Sequence, residues 1–200
     1  MKSFVCLLLI GLTGIAFHAP VDPLPIGSPI PAAAVKMKDV SGKILSLNDV
    51  KTNQGLLVMF SCNTCPYVIK NQERTRQVGA YAAQKSLGFI ILNANEGSRS
   101  GDESYKAMQA YASAQGYQWP YAVDSNNELA DAFGASRTPE VFLFNGKGKL
   151  VYRGAMDDSP ADPAKISRQH LKVAIDEMLS GQPVSVTESR SVGCGIKRKV

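Results

Sequence analysis

The feature that most constrains the fold of this chain is the apolar run Leu56-Leu57-Val58-Met59-Phe60, which ends in Ser61 and then Cys62-Asn63-Thr64-Cys65-Pro66. Five apolar residues without alternation fit a central strand covered on both faces. Proline at 66 fits the first turn of a helix, where the N–H it lacks would have no partner. The two cysteines therefore stand where a buried strand hands over to a helix. There a Cys-x-x-Cys pair can close a small disulfide ring and reopen it without unfolding anything else. Cys62 is expected at the helix N-terminus, where exposed N–H groups and the positive end of the helix dipole favour thiolate, the attacking species. It is the candidate nucleophile. Cys65, expected inside the first turn, can strike back at a mixed disulfide on Cys62 and is the candidate resolving cysteine.

Two plainer readings compete. A Cys-x-x-Cys pair serves as half of a structural zinc site when two more ligands are at hand, but the chain adds only His18, His170, Cys6 and Cys194. A permanent disulfide would close so short a loop that it would restrict the unfolded chain little.

Residues 1–19 read as a secretory signal peptide: Met1-Lys2, an apolar stretch over 4–17, and small residues before Pro20. The stretch is short for a membrane span of ~20 residues, with an uncleaved anchor as the alternative. A periplasmic or secreted location is implied, with membrane contact only through a retained leader. Its loss would discard Cys6 and leave Cys62, Cys65 and Cys194, and an odd count leaves one thiol free, intermolecular or catalytic. A content of 44% hydrophobic and 20% charged residues suits one soluble core. The net charge of +5 is mild, and its one cluster, Lys197-Arg198-Lys199, reads as a solvated tail, so no nucleic-acid partner is expected.

Residues 20–34 should form an extended Pro-rich segment, 35–182 the folded domain, and 183–200 a flexible tail carrying Cys194. Alternation over 35–40, a turn at Ser41-Gly42-Lys43 and its continuation through Leu47 predict a β-hairpin. A helix is expected from 66 to about 84 and a second buried strand over 88–92, joined in a right-handed βαβ crossover. A polar loop then leads to a helix over 104–115, a strand over 119–123 and a short helix over 128–133 stopped by Gly134. A hairpin turns about Asn145-Gly146-Lys147-Gly148, and a last helix covers 166–179. Arg137-Thr138-Pro139 precedes the hairpin's first strand. A proline entering a strand cannot donate to its ladder, and a cis peptide bond is one reason to find it there.

These elements, with Gly27-Ser28-Pro29, Asp39-Val40-Ser41-Gly42-Lys43, the Phe60 to Pro66 motif and Thr138-Pro139, resemble the thioredoxin superfamily over residues 27–179. Within it, they resemble the exported redoxin branch akin to TlpA and ResA. Val151-Tyr152-Arg153-Gly154, Asp157-Asp158-Ser159-Pro160 and Gly193-Cys194 are similar to bacterial proteins labelled redoxin or peroxiredoxin-like. The resemblance implies an α/β, thioredoxin-like fold: a central mixed sheet flanked by helices, with an N-terminal hairpin. Thr138 and Pro139 would form a cis-proline loop facing Cys62 and pairing with an extended substrate segment. No cofactor is implied beyond a redox-active Cys62–Cys65 disulfide, and no metal. The expected activity is extracytoplasmic thiol:disulfide exchange with protein thiols or disulfides and a redox partner protein.

One alternative is a thiol-dependent peroxidase, in which Cys62 passes through sulfenic acid and Cys65 or Cys194 resolves it. Another is a Sco-like copper module, for which the cysteine spacing is one residue short and His170 falls on the last helix. The chain departs from thioredoxin in carrying Ser61 where a Trp is usual and Asn63-Thr64 in place of Gly-Pro. The acid that assists proton transfer in thioredoxin has no counterpart over 55–61, leaving Glu73 and Glu96 as candidates by proximity. Cys194 is open to three readings: folding back towards Cys62, which is favoured, pairing with another subunit, or idleness.

Overall fold

A computed structural model describes residues 22–199. The expected leader, with Cys6 and His18, lies outside them. The N-terminal hairpin is present but short: β1 (Met37–Lys38) pairs antiparallel with β2 (Ile44–Leu45). The alternation expected through Leu47 stops at Ser46, because Asp49 accepts hydrogen bonds from the Ser46 N–H (2.8 Å) and hydroxyl (2.7 Å). This reciprocal cap starts a helical turn, α1 (Leu47–Val50).

All seven residues of β3 (Gly55–Ser61) are buried. The single helix expected after it is two, α2 (Pro66–Lys70) and α3 (Gln72–Gln84). At the break, buried Asn71 donates from Nδ2 to the carbonyls of Tyr67 (2.6 Å) and Pro160 (2.9 Å). A short polar side chain thus competes with the helix for backbone groups. β4 (Gly88–Asn93) is again wholly buried. α4 (Tyr105–Gln115), capped by Ser104, leads to β5 (Tyr121–Val123), and α5 (Glu128–Phe133) ends at Gly134 in the left-handed region. Then come β6 (Arg137–Thr138), the hairpin β7 (Glu140–Asn145) and β8 (Leu150–Gly154), and α6 (His170–Leu179). β9 (Cys194–Gly195) is last.

The main sheet has the order β5-β4-β3-β7-β8. β3 is parallel to β4 and antiparallel to β7, which makes the sheet mixed and places β3 at its centre. Alternate residues of β3 face opposite ways, and each face has its own core. Leu56, Val58 and Phe60 pack with Phe133 and Phe142 on one side, and Leu57 and Met59 with Leu171 and Ile175 of α6 on the other. Phe60, Phe133 and Phe142 meet edge to face, with centroids 5.2–5.7 Å apart.

Both flanking segments differ from expectation. The Pro-rich segment, expected to be extended, turns at 26–27 and 31–34 and is pinned, with Gly27 N–H on the Leu150 carbonyl (2.8 Å) and Ser28 accepting from Leu150 N–H (2.9 Å). Residues 183–199, expected as a flexible tail, run along the domain. Arg153 N–H donates to Thr187 (3.0 Å) and Ser189 N–H to Arg153 (3.1 Å), and further along Ile196 donates to Ser136 (3.0 Å) and Gly97 to Lys197 (2.8 Å). Ile196 is buried in the core, and Arg198 pairs with Asp131 at 2.8 Å. The basic cluster is thus part of the folded surface, tied down by main-chain bonds and by the Arg198–Asp131 pair. No described helix is long and apolar enough to cross a membrane.

Candidate active site

Cys62 comes directly after the last residue of β3, and both it and Cys65 are buried free thiols. The helix begins later than expected: Cys65, not Cys62, is the residue capping α2. Pro66 is the reason, since the residue before a proline is disfavoured in the helical region, and Cys65 is extended at φ −65°, ψ 125°. Its carbonyl accepts the first helical hydrogen bond, from Ile69 N–H (3.0 Å). Cys62 stands three residues ahead of that cap.

The chain brings a distant loop onto both sulfurs. The Thr138–Pro139 peptide bond is cis. Buried Thr138 places its Oγ1 3.4 Å from Cys62 Sγ, and its carbonyl accepts from Cys65 Sγ at 3.2 Å. One residue thus contacts each sulfur through a different group.

The acid near the site is neither of the two candidates. Glu73 binds Arg76 at the surface, and Glu96 pairs with Arg99. Glu103, completely buried just ahead of α4, is the residue that reaches the dithiol loop. Its carboxylate accepts from Asn63 N–H (3.0 Å), Thr64 N–H (3.2 Å), Thr64 Oγ1 (2.7 Å) and Asn93 Nδ2 (2.7 Å). Tyr121 adds a bond from its hydroxyl to Asn63 Oδ1 (2.8 Å). Asn63 and Thr64 are therefore the hydrogen-bonded frame of the loop and not a mere spacer. Nothing local in the sequence marks Glu103; a carboxylate immediately before the capping Ser104 is its only signal.

The sulfurs titrate as a pair. Interaction with the Cys65 sulfur, then burial, pushes the Cys62 thiol far up, and the charge of Glu103 adds to the rise while Thr138 opposes it. The same interaction with Cys62 holds Cys65 down to about 4. One proton leaves readily and the second is retained. Cys194, a half-buried free thiol, packs against Cys62, Cys65 and Val68. Burial, then interaction with Cys65, pushes it up to about 11. Among the described residues, no group of three or more His, Cys, Asp or Glu side chains is arranged to hold a metal ion.

A dithiol at the junction of a central strand and a helix, faced by a cis-proline loop across a mixed sheet, defines the thioredoxin-like fold. Within that class the chain belongs to the redoxin family, which matches residues 25–169. Its sequence is 30% identical to the thiol-disulfide oxidoreductase ResA of Bacillus subtilis (strain 168) over 125 residues, 62% of this chain. That match spans 65% of the length of ResA. Among solved structures, an uncharacterized conserved protein from Geobacillus kaustophilus matches with a TM-score of 0.81 at 32% identity, covering 88% of this chain and 93% of that one. A hypothetical protein from Sinorhizobium meliloti 1021 matches with a TM-score of 0.81 at 30% identity, over 90% and 97%.

Proposed function

We propose that this redoxin is a thiol-disulfide oxidoreductase working through a Cys62–Cys65 dithiol/disulfide. The observation that carries this reading is the convergence of both sulfurs on Thr138, with the pair sharing its protons. Cys62 attacks one sulfur of a substrate disulfide as its proton passes to the Cys65 thiolate, forming a mixed disulfide and releasing the first substrate thiolate, which takes that proton on. Thr138 Oγ1 is placed to donate to the Cys62 sulfur and orient it. Cys65 then attacks the Cys62 sulfur, closing the Cys62–Cys65 disulfide and releasing the second substrate thiolate. The substrate gains two electrons and the pair loses them; a redox partner protein returns them, and the same steps run backwards oxidise a substrate dithiol. Protein substrates fit the reading because the backbone beside the cis-proline loop accepts an extended segment: β9 pairs with β6 there, and a substrate would take its place. The leader-like residues 1–19 favour an extracytoplasmic setting.

Reduction of insulin disulfides with dithiothreitol as electron source tests the reading. Cys62→Ser should fall to the uncatalysed rate, and Cys65→Ser should accumulate a mixed disulfide on Cys62. Full activity in Cys62→Ser would overturn it.

A further inference from the structure

The backbone beside the cis-proline loop is already occupied. β9 pairs antiparallel with β6, with Cys194 opposite Thr138 and Gly195 opposite Arg137. Gly193 lies directly against the loop: a Cβ there would stand 2.1 Å from the Thr138 carbonyl oxygen and 2.7 Å from its carbon. Only glycine permits so close a seat. The strand is held on both sides of the cysteine, by Arg137 Nη1 on the Gly193 carbonyl (3.3 Å) and by Ile196 N–H on Ser136. Ile196 in the core anchors the C-terminal end of the strand. The chain's own C-terminal segment thus lies where an extended substrate would pair, and it carries a thiol there. Cys194 packs against the cluster that holds Cys62 and Cys65, and of the two its sulfur interacts with Cys65.

We propose that Cys194 is a third catalytic thiol, delivered by β9, which exchanges with the Cys62–Cys65 disulfide by attack on Cys65. The inference rests on the proposed function, since substrate reduction is what oxidises the pair. In the step, the Cys194 sulfur gives up its proton and bonds to Cys65 Sγ. The Cys62–Cys65 bond breaks, and Cys62 leaves with the electron pair and takes up a proton. One disulfide and one thiol exist before and after, so no further oxidant or reductant enters. The exchange returns Cys62 to the thiol form and stores the disulfide as Cys65–Cys194. It also fastens β9 over the cis-proline loop, so this oxidised form is closed to a new extended substrate until it is reduced.

The test is to oxidise the purified Cys62→Ser chain in glutathione buffers, quench with acid, alkylate, and map disulfide-linked peptides by mass spectrometry. Near-UV circular dichroism checks folding, with Cys62→Ala read the same way should the serine variant not fold. The expected result is an intramolecular Cys65–Cys194 disulfide as the main oxidised species, reduced several-fold by adding Gly193→Ala. Oxidation that yields only Cys65–glutathione adducts or linked dimers would overturn the proposal. The Cys194→Ser chain separates the two readings: failure of Cys62–Cys65 to form there counts against the proposed function, whereas the Cys65–Cys194 result is read independently in the Cys62→Ser chain.

Discussion

At the scale of single residues, the site is governed by how few protons its sulfurs share beside a buried carboxylate. Interaction with Cys62 holds Cys65 down to about 4, so absorbance at 240 nm should show one thiolate appearing near that pH and no second one through neutrality. A free thiol would begin to ionise only around ~8.5, and a titration of that kind would contradict the assignment. The linkage has a definite sign. Between about 4 and ~8.5 the unfolded chain keeps a proton at Cys65 that the folded chain has lost, so the reduced protein gains stability as pH rises through this window and loses it on acidification. Glu103→Gln should ease loss of the second proton, because it removes the negative charge that lifts Cys62. It should also cost about 1–3 kcal/mol, because an amide group then faces the Asn63 and Thr64 N–H donors. The same titration and urea unfolding measure the two effects. Cys62 and Cys65 were legible in the sequence because the motif carries its own spacing and strand context, and Thr138 because a proline follows it at the entry to a strand. Glu103 was not, since its role arises only when α4 packs against a loop some 40 residues earlier.

At the scale of elements, α3 is fixed by two contacts that periodicity does not reveal. Arg74 grips Asp157 with Nη1 at 2.7 and 2.9 Å and also donates to the Ser159 and Pro160 carbonyls. Both side chains of this ion pair are less than a tenth exposed. Arg74→Ala strands the Asp157 carboxylate in the interior and should destabilise the protein by about 3–5 kcal/mol. Gly79 is the second contact. Alanine there would gain up to ~1 kcal/mol of helix propensity, but its Cβ would stand 2.2 Å from the Trp119 ring. Overpacking costs of about 1–3 kcal/mol decide the sign, so Gly79→Ala should be destabilising. Unfolding in urea, tracked by fluorescence of Trp119, the single tryptophan, measures both variants; a Gly79→Ala chain more stable than the parent would refute the contact. The split of the expected long helix has the same origin, because the partner of Asn71, Pro160, lies 89 residues away.

At the scale of the whole molecule, the order of strands and helices could be read directly, since two apolar runs and two prolines define the sheet's centre and its approach to the site. The path of residues 183–199 could not. Many of their bonds run from main chain to main chain, and the sequence shows no apolar period there; Val184 and Ile196, far apart in it, are the residues that return to pack on the two cores. This return is what covers the thiols. Gly193→Ala should lift β9 from the cis-proline loop and speed native-state alkylation of Cys62 and Cys65 several-fold, with rates unchanged if the tail does not shield them.

Whether Cys62 and Cys65 form a redox pair is decided by equilibrating the Cys194→Ser chain, in which the third thiol cannot take the disulfide, in glutathione buffers of graded ratio, then trapping thiols by alkylation. Cys62 and Cys65 should convert together in one two-electron step, between thioredoxin's ~−270 mV and DsbA's ~−120 mV. Two cysteines that stay reduced across the whole series, or that take up glutathione separately without joining, would contradict the pairing.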